Sequence, residues 1–415
     1  MIPINTILVA YLAIYFITSV ADLIIDVMNG RNLKKYEDQV PEPFHGIIDK
    51  DELRKINRYT VHKTNFSHVE TIIGKIVFLF IILSGLLPWL AEGLKDVHFV
   101  LAGLVFFAIP GLIGAVVDLP FDYYHIFVIE EEYGFNTRTL KIWLLDMLKS
   151  LLITLIIGTA LLSLLLIMVK YAGGNWWIWA WFMFFSFQIL MAVIYPTVIA
   201  PIFNKFTPLE QDELSEKIAH LVENEGFTLK GVFQMDAAKR SRHTNAYISG
   251  LGKSKRMVLF DTLMEAHEDD EILAVLAHEM GHLKKHHIKK QLFIMGLSSV
   301  VLFYLASQMM TWQSIYQSFG FSSMPAYAGL FLVMVLWEPL GFFLSPVAMA
   351  ISRRFEREAD RHAFKVMKVA EPLILALKKM ARDNLSNLRP HPLYVWFNYS
   401  HPPLLERIKS LQSMV

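Results

Sequence analysis

The chain has 415 residues, 54% of them hydrophobic and 19% charged, with a mean hydropathy of +0.40 and a formal net charge of +1. Soluble domains carry about a quarter charged residues, so the composition excludes a soluble globular enzyme and fits a polytopic membrane protein. The near-zero net charge gives no pull towards nucleic acid, and the absence of Cys excludes disulfides and thiolate metal sites, leaving His, Asp or Glu to hold any metal.

A bilayer-crossing helix needs about 20 mainly apolar residues. Seven stretches approach that length, near 4–28, 71–94, 98–117, 143–169, 176–202, 291–312 and 326–350. The first lacks a basic flank and a small-residue cleavage site before Asp22 and Asp26, so it reads as a retained span rather than a signal peptide. Lys75, Asp118, Asp146 and Glu338 lie inside or at the edge of spans, where such groups face protein or water. Pro339 is expected to disturb the seventh helix. Trp176, Trp177, Trp179 and Trp181 cluster at one end of the fifth span, as an interfacial aromatic belt would.

The connections alternate in charge. Residues 29–70 hold Arg31, Lys34, Lys35, Lys50, Arg54, Lys55, Arg58 and Lys63; 118–142 hold Arg138 and Lys141; 203–290 are rich in both; 351–415 restart with Arg353 and Arg354. The intervening connections hold Lys95, Lys170 and no basic residue, respectively. The positive-inside rule therefore puts the N-terminus outside or in the lumen, and the four basic segments in the cytoplasm.

Within 203–290, residues 278–282 read His-Glu-Met-Gly-His. On a helix, His278 and His282 share a face and reach one metal, while Glu279, one step round, can take a proton from a water held there. Read alone, the pentapeptide leaves a second reading open: two surface histidines on an ordinary helix. An unbroken helix would put His282 about 13 Å from the start of the next apolar run at Gln291, at 1.5 Å per residue. His286, four on from His282, could share the metal face, although a solvated position suits it better. A catalytic zinc takes three protein ligands and keeps one open position. Beyond the seventh span, Glu356 and Asp360 share a helical face, and Asp360 could fix the tautomer of a ligand His. Spacing alone favours a plain charged helix there. Residues 244–249 alternate and could form an edge strand, open to an extended peptide or simply exposed. His401-Pro402-Pro403 reads as a turn before a C-terminal helix.

Taken together, these segments resemble the type I CAAX prenyl endopeptidases, integral-membrane zinc proteases. Phe127-Val128-Ile129-Glu130-Glu131 with Gly134-Phe135-Asn136, then Asn245-Ala246-Tyr247 with Gly250, follow the family pattern in order. Val258–Leu263, His278–His282, Arg353–Glu356 with Ala359-Asp360, and Tyr399–Arg407 continue it. One departure is His286, where the family tends to carry Gly before His287. The resemblance implies an α-helical polytopic membrane protein of about seven transmembrane helices around a water-filled chamber, with a small α/β zinc-metalloprotease region. It implies one Zn²⁺ per chain on His278, His282 and Glu356, Glu279 as general base, and Asp360 behind the metal ligands. Asn245 and Ala246 would pair with substrate backbone, His401 would donate to the oxyanion, and Arg407 would bind a peptide carbonyl or terminal carboxylate. The substrate would be a C-terminally lipidated CAAX peptide or protein, met at the membrane lipid and cleaved after the prenylated Cys. The host membrane would be the inner membrane if the source is bacterial and the endoplasmic reticulum if eukaryotic.

The expected organisation is five spans in 1–202, a cytoplasmic protease region in 203–290, spans six and seven in 291–350, and a C-terminal region in 351–415 that supplies the third ligand. Two alternatives remain at this stage: a general membrane quality-control protease without need of prenylation, and a non-enzymatic channel or scaffold. The intact set of ligands, base and supporting carboxylate weighs against the second.

Overall fold

The computed structural model describes residues 2–210, 213–227, 230–250 and 255–414. Among these, seven helices are long and apolar enough to cross a membrane. Helix α1 (Thr6–Lys35) is capped by Asn5, whose side chain accepts the Leu8 N–H. Helix α2 (Lys50–Leu83) starts at an Asp49/Glu52 capping box, well before its apolar half. It stops at Gly85, whose φ of +86° is left-handed, and a separate short helix α3 (Leu86–Gly93) follows. The apolar run 71–94 is therefore the end of one helix and the whole of another, not a single span.

Helix α4 (Phe99–Tyr124) runs into a π-helical turn at His125–Glu130, and α5 (Leu140–Tyr171) follows. Helix α6 (Trp176–Ile194) continues through a second π turn at Tyr195–Ile199 into α7 (Ala200–Phe203). The tryptophans of α6 only partly behave as a belt. Trp179 is 56% exposed, but Trp176 is buried and the Trp181 indole N–H donates to the Gly296 carbonyl at 2.9 Å. Helix packing has claimed those two.

A small sheet comes next: β1 (Phe206–Pro208), α8 (Glu213–Asn224), β2 (Val232–Met235), β3 (Ala246–Ser249) and β4 (Arg256–Phe260). The order is β1-β2-β4-β3, with β2 and β4 parallel and the outer pairs antiparallel. Strand β3 thus lies at an edge, as the alternation of 244–249 suggested. Helices α9 (Asp261–Ala266) and α10 (Asp269–Lys284) follow, and Ile272, Leu276 and Met280 of α10 share a core with Met257 and Leu259 of β4.

Helix α10 does not run on into the sixth span. His286 takes a left-handed φ of 56°, and α11 (His287–Met309) starts in a new direction. The unbroken-helix distance to Gln291 therefore does not apply. After α12 (Gln313–Ser318), α13 (Ala326–Met367) continues for 42 residues through both Pro339 and Pro346. Each proline removes one backbone hydrogen bond, and both are buried, yet the helix continues. Pro339 thus disturbs the helix without ending it, and the boundary at 350 falls inside the single helix that joins the seventh span to Glu356. Helices α14 (Glu371–Asp383), α15 (Pro392–Asn398) and α16 (Leu404–Gln412) close the chain.

Two apolar cores sit on the helices. One gathers Leu8, Tyr15, Ile82, Phe106, Leu166, Phe319 and Tyr327. The other joins Phe44 and Ile56, Ile129 and Phe135, Ala277, and Leu373 and Ile408. The second draws on each of the four basic segments, so all four lie at one end of the helices. A two-pronged ion pair between Arg240 and Asp146, 2.8 Å on each prong, fastens α5 to the sheet region. Lys75 donates to Ser19 Oγ at 2.7 Å.

Candidate active site

Helices α10 and α13 meet at Gly281. A Cβ there would stand 2.8 Å from Ala359 Cα and 3.0 Å from its carbonyl oxygen, so only glycine admits this approach. The contact brings the HExxH face of α10 against the Glu356–Asp360 face of α13. His278 Nε2 lies 3.3 Å from His282 Nε2 and 3.3 Å from Glu356 Oε2, and His282 Nε2 lies 3.4 Å from Glu356 Oε1.

These separations test the site for a metal. A tetrahedral ion with bonds of about 2.0–2.1 Å spaces its ligand atoms by about 3.3–3.4 Å, which is the spacing here. Glu356 Oε2 is buried and, despite the nearby imidazole, accepts no hydrogen bond of good geometry. Two nitrogens and the two oxygens of one carboxylate thus converge at metal-ligand spacing, with Oε2 left unpartnered, and the residues fit zinc. In the metal-free site the two imidazoles diverge. Burial opposes protonation of His278, but the Asp360 and Glu356 carboxylates outweigh it and push its pKa up to about 9. Burial and then the neighbouring His278 push His282 down to about 4. Nitrogens this close cannot both carry a proton.

Asp360 Oδ1 lies 2.8 Å from His278 Nδ1 on the far side of the ring. Arg407 of α16 grips the same carboxylate, with Nε 2.9 Å from Oδ2 and an NH₂ group 2.6 Å from Oδ1, and is itself buried. Its guanidinium also lies 3.4 Å from His278 Nδ1. One ligand atom each from His278, Glu279 and His282 fall within 4.8 Å of one another. The Glu356 carboxylate also approaches both imidazoles, at 3.3 and 3.4 Å. Burial pushes the Glu279 carboxyl above the usual range, while the Ile248 amide of β3 donates to it. A raised carboxylate suits a base working near neutral pH.

His401 sits at the rim, 60% exposed, with Nε2 3.5 Å from Glu356 Oε1 and Nδ1 2.9 Å from Ser400 Oγ. Asn245 is exposed, and the buried Ala246 begins the edge strand.

His287 and Glu358 belong to this constellation and were not singled out by motif reasoning. His287 is buried, with Nδ1 3.0 Å from His282 Nδ1 and Nε2 3.1 Å from Glu358 Oε2, and its ring stacks on Phe355. A spacing of five does not share a helical face; the left-handed turn at His286 brings His287 inward. His286 itself is exposed at that turn. Each imidazole of the motif is therefore backed from α13: His278 by Asp360 directly, His282 by Glu358 through His287. His287→Ala is expected to weaken zinc affinity roughly 10–100-fold, and His286→Ala to leave it unchanged, as measured by competition with a chromogenic chelator.

Comparison with known proteins agrees with this geometry. Residues 29–205 match the model of the CAAX prenyl protease N-terminal region with five membrane helices, and residues 208–415 match Peptidase family M48. A CAAX prenyl protease 1 homolog of Oryza sativa is 33% identical over 97% of this chain and 96% of its own. CAAX prenyl protease 1 of Saccharomyces cerevisiae is 36% identical over 91% of this chain and 89% of its own. The human homolog is 32% identical over 92% and 91%. The crystal structure of S. mikatae Ste24p superposes with a TM-score of 0.88 at 33% identity, covering 97% of this chain and 98% of that one. With the metalloprotease site assembled on a multi-pass membrane scaffold, the chain belongs to peptidase family M48, in the branch of the CAAX prenyl protease 1 homologues.

Proposed function

We propose that this membrane metalloendopeptidase binds one Zn²⁺ per chain at His278, His282 and Glu356 and removes the C-terminal tripeptide from prenylated CAAX proteins or peptides. The observation that carries the reading is the His278–His282–Glu356 triangle, closed at 3.3–3.4 Å beside a free strand edge. The CAAX prenyl protease relatives support the CAAX substrate class. When bound, zinc supplies a Lewis acid beside the scissile carbonyl and makes water more acidic.

The chain's own residues do the rest. Glu279 takes the proton of the attacking water and passes it to the leaving amine. Asn245 and Ala246 pair with an extended peptide laid along β3, which uses the strand's free backbone groups. His401, at the rim, donates to the developing oxyanion. Asp360 holds the His278 tautomer. Arg407 fixes Asp360, and N–H groups that Asp360 leaves free serve a peptide carbonyl or the terminal carboxylate. The active site faces the cytoplasm with the N-terminus opposite, a reading that the charge alternation of the loops supports. A water-filled chamber among the spans, lined by Asp118 and Glu338, receives the lipidated tail from the membrane. The membrane is that of the endoplasmic reticulum in a eukaryotic source and the inner membrane in a bacterial one.

The test is cleavage of matched farnesylated and unfarnesylated CAAX peptides by the pure protein. The farnesylated peptide is expected to show at least about tenfold higher kcat/KM, from burial of its apolar chain. Equal cleavage of both would replace the prenyl-protease reading with that of a general membrane quality-control protease.

A further inference from the structure

The motif at residues 127–136 lies outside the metal site and has no part in the steps above. Its structure points elsewhere. Glu130 ends the π turn of α4 and is buried. Tyr59 donates its hydroxyl to Glu130 Oε1 at 2.6 Å, and Lys63 and His125 approach the same oxygen at 3.6 and 3.5 Å. The other oxygen, Oε2, lies 3.1 Å from His243 Nε2.

His243 is held on every side. Its ring stacks on Phe135 at a centroid distance of 3.9 Å, and its Nδ1 lies 3.1 Å from Asn384 Oδ1. Thr262 Oγ1 donates to its carbonyl at 2.9 Å. The backbone on either side is fixed too. The Arg242 N–H donates to the Phe135 carbonyl at 3.0 Å, Asn136 bridges to Ser241, and Asn384 accepts the Thr244 N–H at 3.0 Å. The turn that carries Phe135 and Asn136 folds back on the Glu130 carbonyl, which accepts both their amides.

The next residues are Asn245 and strand β3. Among the described residues this strand has one partner strand, β4, and its other edge carries no strand, with the Ile248 amide on Glu279. An edge strand held on one side is locally labile, and its entry point is where it is gripped. We propose that Glu130, Phe135 and His243 form a clamp that sets the position of β3 relative to α10, with Glu130 and His243 as positioning residues for peptide binding. Because Glu130 terminates a membrane helix, the clamp also fixes the strand at a set height from the bilayer, where an anchored tail would meet it. The proposal rests on the reading of β3 as the substrate strand.

The experiment compares full-length wild type, Glu130→Gln and His243→Asn in nanodiscs. It reads hydrogen exchange of the 244–249 amides, steady-state cleavage of a CAAX peptide, and zinc affinity. Glu130→Gln keeps the shape and removes the charge. His243→Asn keeps an amide nitrogen towards Asn384 and leaves the Tyr59 and Lys63 contacts in place, which covers the case in which Glu130→Gln fails to fold. Loss of one charge-assisted hydrogen bond is expected to speed β3 exchange about tenfold and to raise KM about tenfold, with kcat and zinc affinity little changed. Unchanged β3 exchange in both variants overturns the clamp. So does a parallel fall in zinc affinity, which marks general loosening. Faster exchange with unchanged KM upholds the strand anchor and overturns Asn245 and Ala246 as peptide-binding residues.

Discussion

Glu279→Gln is expected to lower peptide cleavage by roughly 10³-fold, within the 10²–10⁴ range of a positioned general base, while zinc stays bound. The two outcomes separate because Glu279 is not one of the three residues that meet at 3.3–3.4 Å, yet stands within 4.8 Å of both imidazoles. The amide of glutamine can accept the Ile248 N–H but cannot take a proton from water. Metal analysis of the purified variant together with single-turnover cleavage checks both halves. Full activity in a zinc-replete Glu279→Gln protein would remove the residue from the mechanism.

Glu356→Gln has the second large effect, and it acts on the metal. The carboxylate is buried, one oxygen is unpartnered, and both imidazole Nε2 atoms face it. An amide supplies one neutral oxygen and places an N–H where the other oxygen was, so charge is lost and the ion's position is contested. Zinc affinity is expected to fall at least 100-fold, and cleavage with it. Stability without metal should also fall, because the neighbouring buried His278 loses one of the two carboxylates that pair with it. Thermal unfolding with and without zinc gives the readout: wild type gains stability from the ion by mass action, and the variant does not. A variant that retains the zinc-induced shift would place the third ligand elsewhere.

Local patterns in the sequence carried much of this. The four-residue spacing of His278 and His282 describes a helical face, and that face is what α13 meets. Seven apolar runs became seven long apolar helices, and the alternation at 244–249 became an edge strand. The features that escaped depend on backbone turns or distant partners. Gly85 sits inside a run that stays apolar on both sides, so hydropathy gave no sign of a break. Pro339 is buried within α13 and does not end it. His286 hides a left-handed turn, a conformation that glycine adopts without strain, at the position where the family resemblance leads one to expect glycine. Arg407 and Asp360 are 47 residues apart, and Glu130 and His243 are 113 apart. No periodicity links such pairs; the fold alone does.

Titration of metal-free protein with zinc, followed by cleavage of a CAAX peptide, tests the central claim most directly. Activity is expected to be absent in chelator, to rise linearly, and to saturate at one zinc per chain, with no such rise in Glu356→Gln. Cleavage that persists in the chelated protein, or that continues to rise beyond one zinc per chain, would contradict a single metal held by His278, His282 and Glu356.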